Sequence, residues 1–125
     1  MNIVDILVPA IVLICIDFVY LSSFGGKFVE LIERIQYSKF NMNFIGVFGS
    51  YLLIVFALYY FIIKEKKSVF DAFVLGVVLY GVFDFTNIAL FKKYDLVIAL
   101  IDTLWGGILL ASTTFISYRV LHMIR

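Results

Sequence analysis

Residues 69–91 read VFDAFVLGVVLYGVFDFTNIALF, and this run decides the fold class. Past its first turn, only Asp84, Thr86 and Asn87 interrupt a series of apolar, glycine and tyrosine residues. A helix crosses a bilayer with roughly 20 residues, whereas a membrane-spanning strand needs roughly 9–11 and alternates in polarity. The run is long enough for the first and does not alternate like the second. Ser68 and Asp71 at its start form a Ser-x-x-Asp capping signature.

Three other stretches have the same character: 3–24, 42–63 and 96–118. Over the whole chain, 64% of residues are hydrophobic and 15% are charged. Soluble domains average about 45–50% and about 25%. The surplus is too large for a soluble domain of 125 residues to bury. The sequence therefore predicts an all-α polytopic membrane protein, a four-transmembrane-helix bundle forming one integral membrane domain over 1–125.

Between the first two spans, Gly25-Gly26 reads as a helix stop. Phe28, Leu31, Ile32 and Ile35 then recur at helical spacing, with Lys27, Glu30, Glu33 and Arg34 mostly opposite. This pattern predicts a short interfacial amphipathic helix over 27–40. Gly46, Gly49 and Ser50 are small enough to expect a close helix contact from the second span. Cys15, the one cysteine, is expected as a small buried core residue.

Loop charge does not orient the bundle. Lys64, Lys66, Lys67, Arg119 and Arg125 fall on one face, and Lys27, Arg34, Lys39, Lys92 and Lys93 on the other, five against five. The dense Lys64–Lys67 turn tips the reading toward both termini in the cytosol.

Asp17, Asp84 and Asp102 lie well inside three spans. At 1.5 Å per residue each sits roughly 10 Å below the same membrane face. An Asp near a helix centre costs roughly 2.5–3.5 kcal/mol on insertion scales, so all three are expected to face the interior. No Lys or Arg lies in a span core to pair with them. Close carboxylates without a cation resist ionising together, which leads to the expectation of a proton-sharing layer. Asn87, Thr86, Trp105, Tyr20 and Ser50 complete the candidate polar site by spacing and depth.

Other chemistry is poorly represented. The net charge of +1 gives no footprint for nucleic acid. A lone cysteine excludes an intramolecular disulfide, and His122 near the end is the only histidine. No catalytic triad, metal-ligating pair, phosphate loop or haem ligand is recognisable, so no catalytic residue, metal or cofactor is expected.

The same residues carry a family resemblance. Tyr80-Gly81-Val82-Phe83-Asp84-Phe85-Thr86-Asn87-Ile88-Ala89 resembles the Tyr-Gly-x-x-Asp-x-Thr-Asn-x-Ala pattern of the domain of unknown function 2177 family. Asp102-Thr103-Leu104-Trp105-Gly106 resembles its Asp-x-x-Trp-Gly motif, and Asp17-Phe18-Val19-Tyr20-Leu21 its Asp-x-x-Trp-Leu. Before the fourth span the family often has Trp-Pro, where this chain has Tyr94-Asp95. The resemblance covers about residues 11–112. It implies four helices and a membrane location, and it supplies no activity.

Three functional readings follow. The first is a small transporter or permeation component working through the Asp layer on an unidentified small molecule or ion. Four short helices enclose little volume, so such a path points to a homodimer. The second is a membrane scaffold or assembly protein, with the Asp/Asn layer as glue between helices. A lipid-acting enzyme with an Asp as general base ranks third, for want of a nucleophile or metal set.

Overall fold

The computed structural model describes residues 2–124. Four helices account for most of the chain: α1 (Val4–Gln36), α2 (Phe44–Leu58), α3 (Val69–Leu90) and α4 (Leu96–Ile124). The last turn of the second span, Tyr59–Ile63, continues α2 as a π-helix. All four spans are long and apolar enough to cross a membrane. Among the described residues there is no strand.

The helix starts are encoded locally. Asn43 Oδ1 accepts from the Ile45 and Gly46 amides at 3.0 and 3.3 Å. Ser68 Oγ accepts from the Asp71 amide at 3.1 Å, as its capping signature predicts. Asp95 Oδ1 accepts from Val97 and Ile98 at 2.8 and 3.3 Å and opens α4. Each cap satisfies amides that have no carbonyl a turn earlier.

The separate interfacial helix is not there. α1 runs unbroken through Gly25-Gly26 to Gln36, and residues 37–40 are not helical. A glycine costs about 1 kcal/mol in a helix interior, which good helix formers on either side outweigh. Neither glycine has positive φ. The stop is made at Tyr37, a left-handed residue whose N–H bonds to the Glu33 carbonyl. At 33 residues α1 is about 50 Å long, well beyond the ~30 Å thickness of a hydrocarbon core. The fourth span is also longer than the sequence suggests, ending at Ile124. Arg125, counted in the loop-charge comparison, lies outside the described residues.

The tight contact is between α3 and α4, not at α2. A Cβ on Gly76 would fall onto the Gly106 backbone, and one on Gly107 would lie 2.7 Å from Val77 Cγ2. A Cβ on Gly46 or Gly49 would meet nothing within 4 Å. Small residues therefore do let backbones approach, but in α3 and α4. Cys15 is exposed rather than buried, on the outer side of α1. The core gathers Leu13, Leu58, Tyr59, Ile62, Leu109 and Leu110. Tyr118 of α4 donates to the Lys67 carbonyl at 2.6 Å and ties α4 to the α2–α3 turn.

Candidate functional site

Asp17, Asp84 and Asp102 are 6%, 0% and 7% exposed, so all three point into the bundle rather than at acyl chains. Asp84 stands six residues before the end of α3 and Asp102 six after the start of α4, each about 9 Å along its helix. The α3–α4 hairpin thus brings them level.

The carboxyls are held by rings that carry donors. Trp105 Nε1 donates to Asp17 Oδ1 at 3.0 Å, and the Tyr51 hydroxyl donates to Asp17 Oδ2. Tyr20 donates to Asp102 Oδ1 at 3.2 Å. Tyr94 donates to Asp84 Oδ1 at 2.9 Å, and Thr103 lies 3.5 Å from Asp84 Oδ2. The Asp84 and Asp102 carboxyls are neighbours in this layer. The Tyr20 and Trp105 rings stack at 4.5 Å with 5° between planes, which joins the Asp17 group to the Asp102 group. One connected layer therefore takes residues from α1, α2, α3, α4 and the 91–95 turn.

Placement differs among the other candidates. Asn87 is half-buried and sits against the Tyr94 hydroxyl. Thr86 is exposed and takes no part in the layer. Ser50 is exposed, yet it lines a cavity beside the acids. Tyr51, Tyr94 and Thr103 complete the layer although none stands in the candidate set. Thr103 adjoins Asp102, and Tyr94 lies four residues past the end of α3, so the hairpin's return places both near Asp84. Tyr94 lies outside the spans, and burial pushes its phenol above the ordinary value, with Asn87 opposing and Asp84 adding to the shift.

Next to the layer is a cavity of about 780 Å³ between α1, α2 and α3. Asp17, Tyr20 and Asp102 form its polar end, and Phe28, Leu53 and Phe83 are among its apolar walls. A second cavity of about 740 Å³ lies at the other end of the bundle, against Asp5, Lys64, Tyr118 and His122. Its lining places the start of α1, the α2–α3 turn and the end of α4 together, as four antiparallel spans require. Among the described residues no group of three His, Cys, Asp or Glu side chains could hold a metal ion.

The model of a family of predicted membrane proteins, DUF2177, matches residues 2–119. The chain belongs to that family. Its multi-pass membrane character is therefore supported twice, by the family and by four apolar helices. No curated protein and no solved structure matches the chain.

Proposed function

We propose that the chain is a small transporter or permeation component whose working element is the proton-sharing layer of Asp17, Asp84 and Asp102. The observation that supports this reading is the cavity: two of the three buried acids line it instead of being sealed among helices. Buried acids inside a membrane are costly to keep and mark ion and proton paths when they border a cavity. Asp102 borders the cavity, and Asp84 is the partner with which it shares a proton. A solute entering beside Asp102 would alter that sharing, which couples occupancy to proton release.

In the working assembly two copies enclose the path, and both termini face the cytosol. The test uses proteoliposomes with a pH-sensitive dye inside and an acid interior. Organic solutes are added outside one at a time, and loss of the proton gradient is followed. Solute-dependent loss that disappears in Asp84→Asn supports the reading. No accelerated loss with any solute counts against it.

A second reading has its own support. Asp84 is fully enclosed, with Tyr94, Thr103 and Asp102 around it. Such a group suits structural glue in a membrane scaffold. Under that reading Asp84→Asn and Asp102→Asn are tolerated without functional loss, while Asp→Leu pairs disturb folding or partner capture.

A further inference from the structure

We infer that the 780 Å³ cavity between α1, α2 and α3 is a binding site for a hydrophobic organic cation, such as a quaternary ammonium or phosphonium, with its charge held at Asp17 and Asp102. The inference rests on the transport reading in treating the acid layer as a working site, and it names the class of solute.

The volume lies in the range of about 300–1,000 Å³ that takes drug-sized ligands. The walls are mostly apolar and include the rings of Tyr20, Phe28, Phe40, Tyr80 and Phe83. Aromatic faces attract cations, and the attraction grows when water is excluded. Among the lining residues there is no Lys, Arg or His, so the carboxyls at the polar end have no positive partner in the wall. An anion would be repelled there. An acyl chain would leave both carboxyls facing hydrocarbon, which is expensive. A cation with an apolar body satisfies both halves of the cavity.

Gly25 and Gly26 of α1 are among the residues that line the cavity. A Cβ at Gly26 would meet nothing within 4 Å, so a side chain there starts into open space.

The test is equilibrium dialysis of detergent-purified protein against tetraphenylphosphonium, with neutral triphenylphosphine oxide in parallel. Trp105, the only tryptophan, reports occupancy by its fluorescence because it bonds Asp17 and stacks on Tyr20. The expected result is saturable binding of the cation, weakened at least about tenfold in Asp17→Asn and in Asp102→Asn. Gly26→Phe, which keeps every acid, weakens it as well. No saturable binding to the folded protein overturns the inference. So does equal affinity for the neutral compound, or unchanged affinity in both Gly26→Phe and the Asn variants. Binding without solute-linked proton loss leaves this inference standing and removes the transport reading. Solute-linked proton loss without binding does the reverse.

Discussion

The Tyr94 hydroxyl, in the turn between the third and fourth helices, donates to Asp84 Oδ1 at 2.9 Å, ten residues back along the chain. The bond closes the layer from the loop side and gives a buried carboxyl one of its few donors. Removing it in Tyr94→Phe leaves the oxygen unsatisfied. That costs about 1–3 kcal/mol, measurable as a lower denaturation midpoint in detergent. The pH dependence follows from the raised phenol. A tyrosine whose folded value exceeds its unfolded one contributes stability that is full below the unfolded value, near pH 10. That contribution is lost as pH rises through the folded value. As far as the phenol's own ionisation is concerned, the gap between wild type and Tyr94→Phe is therefore expected to narrow only above about pH 10.

Asp17 receives two donors of different kinds, and its variants separate them. The indole of Trp105 can only donate, whereas the Tyr51 hydroxyl can turn and accept. In Asp17→Asn the amide oxygen keeps the Trp105 bond while its NH₂ group donates to Tyr51. The expected loss is about 1 kcal/mol or less. In Asp17→Leu both donors lose their acceptor, and the expected loss is about 2–4 kcal/mol, taking roughly 1–2 for each. Unfolding titrations of the two variants side by side check the order, and a Leu variant as stable as the Asn variant would contradict it.

Much of this was legible from the sequence, for physical reasons. Helix number followed from apolar length, and the inward aim of Asp17, Asp84 and Asp102 followed from the cost of a carboxyl in hydrocarbon. Helix starts at Ser68 and Asp71 followed from capping chemistry. The end of α1 was not legible, because Gly25-Gly26 weakens a helix without obliging it to stop. The close contact of Gly76 with Gly106 was not legible either. Small residues occur in several spans, and only packing selects the pair that meets. Tyr94 escaped notice because it reads as turn.

The same substitution at two glycines is expected to act with opposite sign. Gly76→Ala drives a methyl into the Gly106 backbone, which no rotamer change relieves, and costs about 3 kcal/mol. Gly26→Ala meets open space and removes a flexible residue from a helix interior, so it stabilises by about 0.5–1 kcal/mol. Thermal unfolding of both in one detergent checks the pair. A neutral Gly76→Ala would mean that α3 and α4 do not cross so closely.

Water access to the acid layer separates the two functional readings, and thiol labelling measures it. Ser50 lines the cavity, while Cys15 is exposed on the outside of α1 and is not among the lining residues. A thiol reacts through its thiolate, which forms only where water reaches. In liposomes Cys15 is therefore expected to resist a charged, water-soluble methanethiosulfonate until detergent is added. In a Cys15→Ala background, Ser50→Cys is expected to label in the intact bilayer and to be protected by tetraphenylphosphonium. Labelling of Ser50→Cys without protection would place water in the cavity but not the cation. Failure to label would make the cavity dry, and a dry layer with every carboxyl bonded favours the scaffold.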